Sequence, residues 1–142
     1  MILVLDASMA LSWLLKRNDP VEAAQSGEAM SVVRASGAMV PALWYSEVVN
    51  VLLLAERQRV ITPDESASYL SSLSIWEIVQ DSVHPALCQA QVTHLGRVYK
   101  LTAYDATYLE LAMRHAGTLA TFDRKLAAAT RAAGVRVFGD AV

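Results

Sequence analysis

The chain has 142 residues, a formal net charge of −2 and a single cysteine, Cys88. This length is typical of one domain with a hydrophobic core, and a lone cysteine excludes an internal disulfide. Hydrophobic residues make up 54% of the chain, yet no stretch reaches the roughly 20 apolar residues that a membrane helix needs. We therefore expect one domain over residues 1–142, cytoplasmic and away from the membrane, with apolar surface to spare for a homodimer or another partner.

The chain alternates short apolar runs with helical patterns, and glycine, proline and capping residues mark the boundaries. In the first half the predicted elements are a strand at 2–5, a helix in ASMALSWLLK, a helix over 20–36, a strand at 38–40 and a helix over 43–59. In the second half they are a helix with a capping box at 62–65, a strand at 76–80, helices from 85 to 101 and from 102 to 115, a strand at 118–121, a helix after it, and a final strand at 135–138. This alternation predicts an α/β fold, a sandwich with a mostly parallel central sheet flanked by helices.

Four acidic residues stand at unusual positions in this pattern. Asp6 and Asp123 follow predicted strands, at the sheet edge where ligand sites of open α/β folds lie. Glu47 lies in the middle of a helix, on an apolar face with Leu43, Asn50 and Leu54. Asp105 lies near a helix start, on the face that carries Tyr108, Leu109 and Ala112. The sequence therefore predicts that four carboxylates share one site.

Three of these acids also have a simpler explanation. Asp6 and Asp123 are each in position to cap a helix, and Asp105 lies in a first turn, where an acid complements the helix dipole. Glu47 has no such role, because a mid-helix glutamate on an apolar face is costly to bury without a partner or a metal. A separate explanation for each acid is less economical than one shared site.

Clustered carboxylates need a counter-charge, and Mg²⁺ or Mn²⁺ supplies it with carboxylate and water ligands. Such ions support phosphodiester hydrolysis by activating water and stabilising charge. The candidate metal ligands and catalytic residues, which would bind the ions directly or through water, are Asp6, Glu47, Asp105 and Asp123. Three nearby polar side chains suit a supporting role that orients the carboxylates: Ser8, Asn50 and Thr121.

Four motifs, in this order, resemble those of PIN-domain ribonucleases, and in particular the VapC-type toxins of VapBC toxin–antitoxin pairs. They are VLDAS at 4–8, SEVVN at 46–50, YDATYLELA at 104–112 and LATFDRKLAAA at 119–129. The resemblance covers nearly the whole chain, and it implies a PIN-like three-layer sandwich. It also implies that Asp6, Glu47 and Asp105 form the acidic core, with Asp123 as a more variable fourth member.

The same resemblance implies an endoribonuclease that depends on Mg²⁺ or Mn²⁺, acts on RNA, and is inhibited by a cognate antitoxin protein that occupies its site. The residues that contact substrate are not identifiable from the sequence. Arg124 and Lys125 could neutralise a phosphate or form only a solvated basic pair. Five more basic residues are scattered along the chain: Arg57, Arg59, Lys100, Arg114 and Arg131.

Two other functions remain open on the sequence alone. An aspartate after a first strand also serves as a nucleophile in aspartyl-phosphate hydrolases, which would assign that role to Asp6. Those enzymes carry a DxD motif at this point, whereas the residue two positions after Asp6 in this chain is Ser8. The other alternative is a PIN fold kept as a non-catalytic binding module, whose signature would be the loss of acids. All four are present.

Overall fold

A computed structural model describes residues 1–141 of the chain, and Val142 lies outside the described residues. Its centre is a five-stranded sheet with the strand order β3-β2-β1-β4-β5, in which every pair of neighbours is parallel. The strands are β1 (Leu3–Leu5), β2 (Ala38–Val40), β3 (Ile78–Gln80), β4 (Thr118–Ala120) and β5 (Arg136–Val137). The predicted α/β sandwich is therefore confirmed, with a sheet that is wholly rather than mostly parallel.

Seven α-helices flank the sheet within residues 1–141. They are α1 (Ala7–Leu11), α2 (Pro20–Ser36), α3 (Leu43–Arg57), α4 (Pro63–Ile75), α5 (Gln89–Tyr99), α6 (Ala103–Arg114) and α7 (Arg124–Ala132). None of these helices is both long and apolar enough to span a membrane. Every residue of β1 and β4 is buried, because helices cover the central strands on both faces.

Local signals set most helix boundaries. At the start of α4 the Thr62 side chain accepts from the Glu65 backbone, and the Glu65 carboxylate accepts from Thr62 in return, so the predicted capping box is present. Helix α2 ends at Gly37, whose φ of +77° is open to glycine but strained for other residues. The close approach of the Glu77 carbonyl, 2.5 Å from where a Cβ would stand, makes the same demand.

The first helix is shorter than predicted, ending at Leu11 rather than continuing through ASMALSWLLK. The Ser12 hydroxyl lies 2.6 Å from the Ser26 hydroxyl, and the Trp13 indole donates to the Ser26 carbonyl at 3.0 Å. These contacts fix the chain against α2 and turn it out of the helix. The helix predicted from Pro85 begins instead as a separate 3₁₀ turn, Pro85–Leu87, before α5.

Candidate active site

Four elements bring the acidic side chains to the carboxyl edge of the sheet. Asp6 directly follows β1, Asp123 immediately precedes α7, Glu47 is in the second turn of α3 and Asp105 in the first turn of α6. Their charges act on one another, since the charge of Asp6 raises the pKa of both Glu47 and Asp105. The structure therefore brings together all four acids that the sequence singled out.

Asp6 is the most buried of the four, with 6% of its surface exposed. It stands at the N-cap position of α1, but its side chain makes no capping hydrogen bond. One oxygen, Oδ2, accepts from the Thr121 hydroxyl at 2.6 Å and from the Ser8 hydroxyl at 2.7 Å. Burial raises the pKa of Asp6, these two hydrogen bonds oppose the rise, and the charge of Asp123 adds to it. The carboxylate is thus oriented by Ser8 and Thr121 and does not cap the helix.

The loop after β4 is fixed by the same hydroxyls. The Thr121 hydroxyl oxygen accepts from the Asp123 backbone N–H, and the Ser8 hydroxyl oxygen accepts from the Phe122 backbone N–H, each at 2.9 Å. Asp123 in turn caps α7, because its Oδ1 accepts from the Leu126 N–H at 2.9 Å. For Asp123 the capping role and a place at the acidic site therefore coexist.

Glu47 lies at the border of the buried face of α3. That face consists of Trp44, Val48, Leu52 and Ala55, one position further along than predicted, so Leu54 is 48% exposed. Glu47 is half-buried, and its Oε1 accepts a short hydrogen bond from the Tyr108 hydroxyl. Asn50 is exposed and has no side-chain hydrogen bond within residues 1–141. Ser8 and Thr121 therefore touch an acid directly, whereas Asn50 does not.

Asp105 uses its backbone for the helix and its side chain for the site. Its N–H donates to the Thr102 hydroxyl at 3.2 Å, which caps α6. Unlike Glu65 in the capping box, its carboxylate does not return a hydrogen bond to the cap. Burial, then the charges of Asp123 and Asp6, raise the pKa of Asp105 to about 6, and Lys125 partly offsets them. Burial and the neighbouring acids therefore make the charged form of Asp105 costly in the absence of a cation.

Three further side chains at this edge escaped the sequence analysis as site residues. Tyr108 was not named as a site residue, although its position three residues after Asp105 placed it on the same helix face. Burial, then the charge of Asp6, raises the pKa of its phenol, which stays a hydrogen-bond donor to Glu47. Phe122 and Arg17 form the other addition, with the guanidinium carbon 4.5 Å from the ring centre. No sequence signal connects that last pair.

The donor chemistry fits a divalent cation. Within residues 1–141 none of the four acids is paired with a basic side chain, and no three histidine, cysteine or acidic side chains are placed to hold one ion together. Mg²⁺ commonly binds through only one or two carboxylates and keeps several waters. Because Asp6 Oδ2 is saturated by hydroxyls, Oδ1 is its oxygen left for such an ion. Carboxylates that repel one another and lack a cation therefore suit Mg²⁺ or Mn²⁺ held partly through water.

An all-parallel sheet with acids gathered beyond its carboxyl edge defines an α/β protein with an acidic ligand site. The PIN domain family model matches residues 3–132, which is most of the chain. The chain therefore belongs to the PIN domain family, whose members are typically nucleases that use divalent metals.

Two solved structures are similar over most of their length. PAE2754 from Pyrobaculum aerophilum is 21% identical with a TM-score of 0.63, over 92% of this chain and 86% of that one. FitAcB from Neisseria gonorrhoeae is also 21% identical, with a TM-score of 0.57 over 98% of this chain and 97% of that one. At this identity the likeness supports the fold. No curated protein matches the sequence.

Proposed function

We propose that this chain is a metal-dependent endoribonuclease, with Asp6, Glu47, Asp105 and Asp123 as its metal-binding and catalytic residues. The observation that carries the proposal is the gathering of four mutually repelling carboxylates at one sheet edge, none of them neutralised by a basic side chain within residues 1–141. Family membership adds that such domains are typically nucleases. The order of the four sequence motifs supports RNA as the substrate.

The chain's own residues have distinct roles in this proposal. Ser8 and Thr121 orient Asp6 through hydrogen bonds, and the Tyr108 phenol orients Glu47 in the same way. When bound, Mg²⁺ or Mn²⁺ supplies the counter-charge for these acids and for the phosphodiester, and it lowers the pKa of a water molecule. In the hydrolysis, a water oxygen forms the new bond to phosphorus, a carboxylate takes the water proton, and the bond from phosphorus to the leaving oxygen breaks.

We also propose that the enzyme is the toxin of a toxin–antitoxin pair, with an antitoxin that covers the acidic site. Tyr45, Val49 and Leu53 recur every fourth residue along α3 and are between 42% and 43% exposed. Residues four apart lie on one helix face, so these side chains form an apolar stripe. Glu47 lies on a different face of α3, since residues two apart on a helix do not share a face, so a partner on this stripe would have to extend around the helix to cover the acids. A homodimer remains a prediction, to be tested by measuring the mass in solution.

The test combines metal binding with RNA cleavage. Purified protein without a histidine tag is melted in EDTA and in millimolar Mn²⁺, and the same samples are incubated with total RNA. A cation that binds only the native state at a hundredfold excess over Kd adds about 2.7 kcal/mol to the free energy of unfolding, which raises the melting temperature. We expect this rise and Mn²⁺-dependent cleavage of RNA. Superimposable melts together with intact RNA would reject the proposal.

The toxin role has its own test. Expression of the chain alone should arrest growth, and co-expression of a small protein encoded beside it should relieve the arrest. The control is the Asp105→Asn variant. Equal toxicity of that variant would show that the arrest does not arise from cleavage at this site.

A further inference from the structure

Arg17 is a basic side chain that packs against Phe122, in the loop that leads to Asp123. It lies in the segment between α1 and α2, with its guanidinium carbon 4.5 Å from the centre of the Phe122 ring. Its NH2 group also contacts Glu22 Oε2 at 3.2 Å. A cation stacked on an aromatic face and held at one edge has few conformations left to lose on binding a ligand.

Phe122 connects this arginine to the acids. Its backbone N–H donates to the Ser8 hydroxyl oxygen at 2.9 Å, and Ser8 donates to Asp6 Oδ2 at 2.7 Å. Thr121 and Asp123 flank it in the chain, and both belong to the same hydrogen-bond network. The guanidinium therefore packs on the loop that carries Asp123 and that is hydrogen-bonded to the residues holding Asp6.

Arg17 also keeps most of its hydrogen-bonding capacity. Within residues 1–141 its side chain makes one hydrogen bond, to Glu22, and 36% of the side chain is exposed. Two other arginines already form salt bridges: Arg114 with Asp81 and Glu110, and Arg131 with Asp140. The pair with Glu22 is only partly buried, so water screens it and it contributes little energy. The remaining donors of a planar guanidinium match the geometry of phosphate oxygens.

We propose that Arg17 binds a backbone phosphate of single-stranded RNA as the strand crosses the acidic site, and that Phe122 is a positioning residue that holds the guanidinium. This inference rests on the proposed function, and it names the substrate contact that the sequence left unassigned. Carboxylates repel the strand unless an ion is present, so a fixed cation at the rim supplies affinity that does not depend on the ion.

The experiment measures binding of a fluorescent single-stranded RNA to metal-free protein in EDTA, where no cleavage occurs, over a series of salt concentrations. For single strands, log K falls with log salt by about 0.7 per phosphate contact. Arg17→Ala should weaken binding about tenfold and reduce this slope by about 0.7. Arg17→Lys should keep the slope, because the charge is unchanged. It should weaken binding a few-fold, because lysine lacks the planar guanidinium that donates two hydrogen bonds to a phosphate and stacks on Phe122. Phe122→Leu should likewise weaken binding and leave the slope unchanged.

The matched control is Arg131→Ala. This variant also removes one positive charge. Arg131 lies in the last turn of α7, whereas Phe122 lies just before the first turn, and Arg131 is already paired with Asp140. Equal affinity and equal salt slope for the Arg17→Ala and Arg131→Ala variants would overturn the assignment, while RNA cleavage by the wild type would leave the proposed function standing. A wild type that binds no RNA, with or without Mn²⁺, would overturn both.

Discussion

Replacing Asp105 with asparagine separates a site role from a helix role. Burial and the charges of Asp123 and Asp6 raise the pKa of Asp105 from 3.8 to about 6. A difference of this size corresponds to about 3 kcal/mol, which solvent screening at this half-buried position reduces to about 1–2 kcal/mol. Asparagine is nearly isosteric, removes the charge, and gives up about 0.5 kcal/mol of interaction with the helix dipole. Without metal, Asp105→Asn should therefore be more stable than wild type by about 1 kcal/mol near neutral pH.

The raised pKa of Asp105 also predicts how the stability difference between the two proteins changes with pH. Because the folded pKa lies above the unfolded one, the native state binds more protons between 3.8 and about 6, and the wild type loses stability as pH rises through that window. The advantage of Asp105→Asn should thus be absent near pH 4 and complete above about pH 7. A difference of 1 kcal/mol corresponds to about 3 °C in melting temperature for a chain of this size.

The assay is a set of thermal melts in EDTA at both pH values, with RNA cleavage measured in Mn²⁺. The control is Asp64→Asn, since Asp64 also lies in the first turn of a helix but is exposed and is not one of the four site acids. The control should be slightly less stable than wild type near neutral pH. Asp105→Asn should lose most cleavage and much of the Mn²⁺ stabilisation. If it is less stable at neutral pH and still cuts RNA at a near-normal rate, the reasoning is refuted.

Two other substitutions test contacts that hold the fold together. Arg114→Met should lower the free energy of unfolding, measured in urea, by about 2–3 kcal/mol. The reason is that Glu110, which is only 5% exposed, would lose the cation that pairs with it. The control Arg131→Met removes an exposed pair and should cost less than about 1 kcal/mol; equal losses would contradict the argument. Gly37→Ala should cost at least about 2 kcal/mol, since its φ is +77° and its Cβ would meet the Glu77 carbonyl. An unchanged urea midpoint would show that this backbone relaxes freely.

Helix boundaries were predictable where the deciding contacts are local. The Thr62 capping box and the glycine stop at Gly37 involve residues within a few positions of each other, so the sequence displays the whole signal. The first helix was predicted too long because the contact that ends it joins Ser12 to Ser26, which lies in another helix. Hydrophobic periodicity does not carry that information.

The approach of Asp6 and Asp123 was predictable for a different reason. Parallel strands end at one edge, so carboxylates placed after strands must approach one another once the topology is known. The supporting contacts depend instead on side-chain direction. Tyr108 reaches Glu47 across 61 residues of sequence, and Arg17 meets Phe122 from a segment without regular structure. Asn50 shows the converse, since helical spacing placed it beside Glu47 while the structure leaves it exposed.

The pairing of the first strand with the fourth has a consequence for synthesis of the protein. The Thr121 hydroxyl that holds Asp6 lies 115 residues further along the chain, and β1 has β4 as one of its two neighbours. A chain still emerging from the ribosome therefore has Asp6 without the strand, hydroxyl or loop that fix it. Because domains are completed as their last segments appear, the acidic site cannot exist on any nascent chain that stops before β4.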